Sequence, residues 1–436
     1  MLRIVSLALI VVIGGGPVYY GGYVNAVSLA GCKIYLNDDL PTKEPLYLTR
    51  KNSRLDFVYP HHNGKTLLKK DRGVFELAVN EEIIMACPGK SNKLSRGQGP
   101  ASVIARPHCV KGTKFALGAK DNYNIKQLEC FRSVKGNLKT FFQKRCGYNK
   151  LGTKMEIGFE VEHEFLTLIT LCHDVRAGDT LYVEHDIPAT IDGARTFTAR
   201  PDFEDGAPDL YQDIRLKEAY SRAYQGRLFD RLLGDGMGDK LIEGTYYLAR
   251  GHLAPDGDFL YGTWQWSTYF YVNTAPQWQI INAGHWLALE RYIRKVAEQT
   301  REDLHVMTGT HGILKLNSSQ DKRIEIQLVP EGRKLKVPAV FFKVIRSKSS
   351  NASIVAVCSN NPFESTRAYC DNIASANHWP TTWENDFSKG QIYFCDVDDF
   401  IRKTGIVIPD IKYSGILQGV EKKKGKGSTR PREDGV

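Results

Sequence analysis

The pattern of apolar and polar positions predicts a β-rich first third of the chain. Short apolar runs, such as residues 75–79 and 82–86, alternate with Gly, Pro and Asn over residues 32–150. Runs of strand length separated by turn residues are typical of a small β-rich domain. Strand-like runs continue over residues 157–161, 165–172 and 180–183.

A helical repeat follows these strands. Tyr220, Tyr224, Leu228 and Leu232 recur every four residues, which predicts a helix from about residue 209 to 233 with these side chains on one face. Glycine-rich sequence then ends the helix.

The next segment predicts a strand, a second helix and two further strands. Residues 264–273 are aromatic and β-branched, which favours a strand. Pro276 suits the first turn of a helix, and the apolar spacing carries that helix to about Gln299. Residues 304–309 and 337–345 read as strands, the second with the near-continuous apolar run of a buried one.

The N-terminus predicts a secretory signal over about residues 1–26. Arg3 precedes an apolar run over residues 4–13, which is too short for a membrane span of about 20 residues. We expect cleavage between about residues 16 and 30, at Ala26 or Ala30. The mature protein should be secreted and soluble, with no membrane partner.

Cysteine usage agrees with an oxidising compartment. The chain has nine cysteines and none forms a CxxC pair, which argues against a zinc site and for disulfides. The odd count leaves one thiol free or paired between chains, so a homodimer stays open. Asn317 and Asn351 begin glycosylation tripeptides expected on surface loops of a glycoprotein.

The charge favours an anionic partner. The net charge is +10, which attracts nucleic acid, heparin-like glycans or anionic membranes. Residues 421–436 are rich in Lys, Gly and Pro, so we expect a disordered tail. This tail is either an electrostatic arm for phosphates or merely a solvated terminus.

Five residues carry candidate chemistry: Arg250, His252, Asn273, Asn282 and Glu290. A neutral imidazole suits a general base, and Mg²⁺ stabilises charge on a phosphate while needing only one or two protein oxygens. On a regular helix Asn282 and Glu290 lie about two turns apart. Each residue also has a structural reading, because most histidines beside glycine are structural and most helical glutamates are solvated.

The order of three motifs resembles a known family. The run Leu248-Ala249-Arg250-Gly251-His252 is similar to the motif of the DNA/RNA non-specific endonucleases, the ββα-metal superfamily. Residues 271–290 resemble the metal-binding helix of that family, and residues 306–309 with 337–344 resemble its later core strands. The resemblance covers about residues 155–415 and is strongest to secreted arthropod nucleases of DNA and double-stranded RNA, including gut and salivary forms.

The resemblance implies an α+β fold. Its core would be a ββα-metal nuclease domain with a central antiparallel sheet flanked by helices, after the β-rich, cysteine-containing domain. The implied activity is Mg²⁺-dependent hydrolysis of DNA, double-stranded RNA or both to 5′-phosphate ends, with Mn²⁺ able to substitute. Partners would be DNA and RNA, recognised through the backbone with little sequence preference.

The resemblance also implies a role for each candidate. His252 would be the general base, Asn282 the direct Mg²⁺ ligand, and Arg250 the group that holds the scissile phosphate. Glu290 would orient metal-bound water and help to protonate the leaving group, and Asn273 would support the site.

The chain departs from the family motif at one position. Ala249 stands where the family usually has Asp. An Asp would be an acceptor beside the Arg and the His, so its loss is expected to loosen the site without removing the base or the metal ligand. For an upstream arginine of the family, the candidates are Arg215, Arg222 and Arg227.

Two other functions compete with the nuclease. A secreted nucleic-acid-binding protein on a nuclease scaffold, with little or no turnover, would explain Ala249 and the basic tail. A heparin-binding or structural extracellular protein would explain the charge but not the order of the motifs.

Overall fold

The computed structural model describes most of the chain between residues 31 and 420. Its description omits residues 61–71, 97–101, 119–121, 148–149, 197–198, 208–209, 212–213, 333, 367, 407 and 409–411. The expected signal segment and the basic tail at 421–436 lie outside the described residues. Within the described residues, no helix has the length and apolar character needed to cross a bilayer.

The described elements are mostly strands. In chain order the strands are β1 Cys32–Tyr35, β2 Leu46–Lys51, β3 Arg54–Phe57, β4 Val74–Leu77, β5 Ile84–Ala86, β6 Ile104–Ala105, β7 His108–Lys111, β8 Lys114–Ala116, β9 Asn122–Asn124, β10 Asn137–Cys146, β11 Gly152–Val161, β12 Glu164–Asp174, β13 Asp179–Ile187, β14 Leu248–His252, β15 Thr274–Trp278, β16 Leu304–His311, β17 Lys315–Asn317, β18 Arg323–Glu325, β19 Gln327–Val329, β20 Lys334–Lys336, β21 Val340–Ser347, β22 Ser353–Ser359 and β23 Ile392–Cys395. The helices are α1 Leu36–Asp39, α2 Leu216–Ala219, α3 Arg222–Leu233, α4 Met237–Leu241, α5 Gly262–Trp266, α6 Gln279–Ile281, α7 Leu287–Thr300 and α8 Val397–Thr404.

An antiparallel sheet of eight strands forms the centre of the fold. Its strand order is β10-β11-β12-β13-β16-β21-β22-β23. Strands β21 and β22 are buried along almost their whole length, so both faces of the sheet are covered there. This mixed architecture confirms the α+β expectation and its central antiparallel sheet.

The first third of the chain forms smaller sheets that pack against the rest. Strands β3-β2-β5-β6, β7-β8-β9 and β1-β4 make three sheets, and disulfides join Cys32 to Cys109 and Cys87 to Cys130. The Tyr261 hydroxyl, from the later part of the chain, donates to the Val58 carbonyl of this region at 2.7 Å. The apolar core therefore runs on from this region into the central sheet.

The predicted disulfides are confirmed. Two further bonds join Cys146 to Cys172 and Cys370 to Cys395. Cys358 is the remaining thiol, and it is free and fully buried. A thiol buried inside the sheet cannot reach a second chain. In the folded protein Cys358 therefore does not form the disulfide between chains that the odd number of cysteines left open.

Two predicted elements around the candidate residues are wrong. Residues 264–273 are not a strand, because α5 and a 3₁₀ turn over Tyr271–Asn273 occupy them. These residues are almost all buried, so no polar face marks a period of two or of 3.6. Pro276 lies in β15 rather than in a helix, and the helix starts only at Gln279.

The helix predicted from residue 209 is shorter than expected. It consists of the single turn α2 and of α3, which begins after Ser221, whose hydroxyl accepts a hydrogen bond from the Tyr224 amide. This N-cap explains the break, because a serine oxygen satisfies an amide that has no partner in the first turn. Leu228 is buried as predicted.

Candidate active site

Strand β14 carries Arg250 and His252, the 3₁₀ turn before β15 carries Asn273, Asn282 begins the kinked turn before α7, and α7 carries Glu290. Arg250 of β14 lies opposite Pro276 of β15, and His252 lies opposite Thr274. Strand β14 is fixed from behind by the buried Gln225, whose amide exchanges two hydrogen bonds of 2.8 Å with the Leu248 backbone. Because side chains alternate along a strand, Arg250 and His252 project from the same face, as expected.

The imidazole of His252 is half-buried, and its Nε2 atom is buried without a hydrogen-bond partner among the described residues. Its ring lies 5.2 Å from that of Phe203 and 4.9 Å from that of Tyr269, between ring centres. Burial lowers the pKa of His252 to about 4, against the attraction of the Asp256 carboxylate. The imidazole is therefore neutral at neutral pH and has a nitrogen able to take up a proton.

The guanidinium of Arg250 shares the Phe203 ring with His252. Its Cζ lies 4.9 Å from the centre of that ring, and Nη1 lies 3.5 Å from the Tyr271 hydroxyl. No carboxylate of a described residue lies within ion-pair distance of Arg250. A guanidinium held over an aromatic ring, without a carboxylate partner among the described residues, suits an incoming anion.

Asn273 has a structural position behind His252. Its Oδ1 accepts from the Ala254 amide at 3.0 Å, and its Nδ2 donates to the carbonyls of Ala254 at 2.8 Å and Thr268 at 2.9 Å. The side chain is fully buried. It therefore ties the turn before β15 to the loop that follows His252.

Replacing Asn273 by alanine is expected to lower the free energy of unfolding by about 2 to 3 kcal/mol, because buried backbone groups lose their partners. Chemical denaturation of both proteins checks this. Asn273→Asp keeps the acceptor for Ala254 but loses both donors and turns an oxygen toward two carbonyls, so it should lose at least as much. An aspartate variant as stable as the wild type would contradict a role built on these hydrogen bonds.

Glu290 lies in a buried cluster of charges. Burial raises the pKa of this carboxyl to about 7, against the opposing attraction of the Lys343 ammonium. Lys343 is fully buried, donates to the Leu253 carbonyl at 3.1 Å and to the Thr308 hydroxyl at 2.8 Å, and lies 4.7 Å from the centre of the Trp286 ring. Lys343 thus connects the loop after His252 to the helix of Glu290.

A second carboxylate completes the cluster. Asp258 accepts from His185 Nε2 at 2.8 Å and pairs with Arg294 Nη1 at 2.7 Å. Burial opposes ionisation of Asp258, but the hydrogen bond from His185 and the charge of Arg294 keep its pKa below the usual value. Arg294 lies one turn after Glu290 on α7, so the same helix face carries both charges.

Asn282 does not lie on a regular helix with Glu290. A kink at Gly284, which has non-helical angles of φ −91° and ψ −123°, lies between Asn282 and α7. A side chain at Gly284 would meet the Lys389 carbonyl at 2.7 Å, so glycine lets this turn pass close to a neighbouring loop. The prediction that Asn282 and Glu290 lie two turns apart on one regular helix is therefore wrong, because the kink separates them.

The structure brings some of the five candidates together and leaves others apart. Arg250 and His252 share one aromatic wall, Asn273 fixes the loop behind them, and Glu290 reaches that loop through Lys343. Within the described residues, no hydrogen bond joins Asn282 to the other four. The carboxylate of Asp256 acts on both His252 and Glu290.

Sequence reasoning missed several residues of this site. Lys343 had a visible signal, a single lysine inside the apolar strand β21. Asp258 had none beyond its turn-like context. The upstream arginine candidates lie elsewhere: the Arg215 side chain is 89% exposed and Arg222 stacks on Tyr247. Arg200, 4.0 Å from Asp256, lowers the pKa of His252 together with Arg250.

Comparisons with known proteins agree with this arrangement. The family model for DNA/RNA non-specific endonucleases matches residues 152–410. A salivary endonuclease of Lutzomyia longipalpis is 25% identical over 397 residues, covering 89% of this chain and 87% of its own. The salivary protein Tsal2A of Glossina morsitans morsitans is 23% identical over 89% of this chain and 94% of its own.

A solved endonuclease G, in complex with its inhibitor, is 18% identical and covers 57% of this chain and 86% of its own, at a TM-score of 0.33. That score is too low to add to the fold assignment.

The fold and the matched family define a nuclease, an enzyme of the hydrolase class. The chain belongs to the DNA/RNA non-specific endonuclease family, since the match covers more than half of its length. This confirms the resemblance drawn from the three motifs, and the family is one of metal-dependent nucleases.

Two side chains of the candidate set, Asn282 and Glu290, have oxygens of the kind that a hard divalent cation binds. The Asn282 amide donates through Nδ2 to the Gln279 side chain at 3.0 Å, which leaves its Oδ1 for a ligand. The Glu290 carboxylate accepts no hydrogen bond from the described residues. Amide and carboxylate oxygens are ligands that Mg²⁺ prefers. The described residues contain no cluster of three His, Cys, Asp or Glu side chains able to hold a metal.

Proposed function

We propose that the protein is a secreted endonuclease that hydrolyses DNA and double-stranded RNA with Mg²⁺, or Mn²⁺ in its place, and leaves 5′-phosphate ends. The observation that carries the proposal is the neutral imidazole of His252, which shares the Phe203 ring with the guanidinium of Arg250, a cation with no carboxylate partner among the described residues. Attack on a phosphodiester needs a base for water next to a cation for the phosphate.

In the proposed mechanism each residue has one task. His252 takes a proton from the attacking water, and Arg250 holds the scissile phosphate. Glu290, whose pKa is about 7, orients water and helps to protonate the leaving 3′ oxygen. Asn273 keeps the His252 loop in place. A metal ion held by the Asn282 oxygen would neutralise charge on the phosphate when bound.

Recognition should depend on the nucleic-acid backbone. The net charge of +10 favours phosphate contacts, and contacts of this kind carry little sequence preference. We therefore expect binding to weaken steeply as salt is added.

The deciding experiment is an endonuclease assay. Supercoiled plasmid and double-stranded RNA are incubated with the full-length secreted protein, with Mg²⁺, with Mn²⁺ and with a chelator. The proposal expects cutting that stops in chelator, with 5′-phosphates on the products. Tight binding without any metal-dependent cutting would instead support the alternative, a secreted nucleic-acid-binding protein on this scaffold.

Ala249, the departure that motivates this alternative, faces away from Arg250 and His252. It lies opposite Gln277, and side chains at 249 and 251 project from the other face of β14. The Gln277 amide packs over Gly251, where an added Cβ would meet Oε1 at 2.5 Å. Both its polar atoms are buried without partners among the described residues. The structure thus corrects the expectation that an Asp at 249 would lie beside the Arg and the His.

Replacing Ala249 by aspartate should raise the free energy of unfolding by about 1 kcal/mol, because the carboxylate gives the Gln277 amide an acceptor. The kcat should stay unchanged, since the new group lies off the catalytic face. Denaturation curves and plasmid-cutting rates of both proteins check these outcomes. A large gain in kcat would instead show that Ala249 limits turnover.

Secretion is supported by the four disulfides and by the salivary relatives. Expression in insect cells, followed by N-terminal sequencing of the protein in the medium, tests secretion and the cleavage site. Retention of the uncut chain inside the cells would overturn this part of the proposal.

A further inference from the structure

A cavity of about 220 Å³ opens next to the strand pair that carries Arg250 and His252. One wall consists of Thr274, Ala275 and Pro276, the residues of β15 that pair with those of β14. The opposite walls come from the start of β13, the end of β16 and the segment around α2. The cavity therefore lies one strand away from the groups assigned to the scissile phosphate.

Tyrosines give the cavity aromatic walls. Tyr211, Tyr220 and Tyr271 all line it. The rings of Tyr220 and Tyr271 lie nearly parallel, at 29°, with centres 6.1 Å apart. The hydroxyl of Tyr271 lies 3.5 Å from Arg250 Nη1, so a single side chain contacts both the cavity and the guanidinium.

The cavity suits a neutral ligand rather than a second phosphate. Its carboxylate, Asp179, is paired with Lys336 at 3.4 Å. Burial lowers the pKa of His311, which keeps that imidazole neutral, and burial raises the pKa of Tyr211 and Tyr220, which keeps those phenols protonated. With its carboxylate paired and its other polar groups uncharged, the cavity offers stacking surface and hydroxyl groups.

We infer that this cavity holds one unstacked nucleobase of the substrate, that of a nucleotide adjoining the phosphate bound by Arg250. In a nucleotide only the sugar separates the phosphate from the base. Tyr271 contacts both Arg250 and the cavity, so the phosphate site and the cavity are adjacent in the same way. Stacking on aromatic side chains accepts every base, so this site is compatible with low sequence preference. The inference rests on the proposed function, because it assigns a subsite for the same substrate.

An abasic scan of single-stranded DNA tests the inference. A set of oligonucleotides carries one abasic site, moved stepwise along the strand, and the wild-type enzyme cuts each with Mg²⁺. Cleavage at the bond that adjoins the abasic site should fall about tenfold in kcat/KM, the value of one base stacked on an aromatic ring. Other bonds of the same strand should be cut as in the intact strand.

A variant links the effect to the cavity. Tyr220→Ala should cut intact strands about tenfold more slowly and show no further loss at the abasic site. Tyr246→Ala, which removes a ring stacked on Phe363 outside the cavity, is the control and should behave as wild type.

The outcomes distinguish failure of the inference about the cavity from failure of the proposed function. Equal cutting of intact and abasic positions by the wild type would overturn the inference, even if Tyr220→Ala failed to fold. If a folded Tyr220→Ala variant still lost tenfold in kcat/KM at the abasic site, as the wild type does, the inference would also be overturned. If the wild type cut neither these strands nor supercoiled plasmid, the proposed function would fail instead. Cutting of plasmid but of no single strand would overturn the inference of a site for an unstacked base.

Discussion

Replacing His252 by alanine is expected to lower kcat by about a thousandfold, because water then loses its general base. Binding of DNA should change little, since Arg250 and the basic surface remain. Single-turnover cutting of plasmid, together with binding measured in chelator, separates the two effects. His163→Ala, at an exposed turn, is the matched control and should cut as wild type does. Cutting by His252→Ala at the wild-type rate would remove His252 from the mechanism.

The same residue predicts the pH dependence. Its folded pKa is about 4, below the usual value of about 6.5 for an unfolded histidine. The imidazole stays neutral well below pH 6.5, so the acid limb of kcat/KM should lie nearer pH 4 than pH 6.5. Between these values the unfolded chain binds the proton and the folded chain does not, so the contribution of His252 to stability falls as the pH falls. In His252→Ala, the free energy of unfolding should therefore depend less steeply on pH between about 4 and 6.5.

Replacing Lys343 by methionine is expected to lower the free energy of unfolding by about 3 kcal/mol. The ammonium is fully buried, and its loss leaves Glu290 and Asp258 with one compensating charge fewer. It also removes the donor to the Leu253 carbonyl, next to His252, so kcat should fall as well. Chemical denaturation and plasmid cutting measure the two losses.

A double-mutant cycle isolates the charge. Glu290→Gln in the Lys343→Met background should recover part of the lost stability, because the uncompensated carboxylate is gone. Activity should not return, since Glu290 itself belongs to the proposed site. The exposed Lys322→Met is the control for loss of a lysine and should change neither quantity. Strictly additive losses in the double variant would show that Lys343 and Glu290 do not interact.

Local sequence was sufficient for the strands with clear apolar runs. Strand β16 lies at the predicted place, although it continues past Gly309 to His311, and the buried strand β21 overlaps its predicted range. Local sequence was insufficient for residues 264–273, which are almost all buried but fold into α5 and a 3₁₀ turn. A buried aromatic segment carries no period that separates strand from helix, so its neighbours decide its conformation.

The placement of Pro276 has a similar cause. Proline fits the first turn of a helix, but it also fits a strand position whose amide has no partner. Here β15 belongs to a sheet of two strands, and the proline faces Arg250 across it. Pairing with β14, 26 positions earlier in the chain, outweighed the local preference.

By itself, the sequence determined the family and the order of the residues that we propose carry the chemistry. The order Arg250-Gly251-His252, Asn282 and Glu290 is a property of the chain and needs no coordinates. Only the tertiary structure decided the ionisation states of these side chains. Burial among Phe203 and Tyr269 makes the imidazole neutral, and Lys343 from a distant strand compensates the Glu290 carboxylate. Ionisation depends on which groups exclude water and which charges lie near, and these come from segments far apart in sequence.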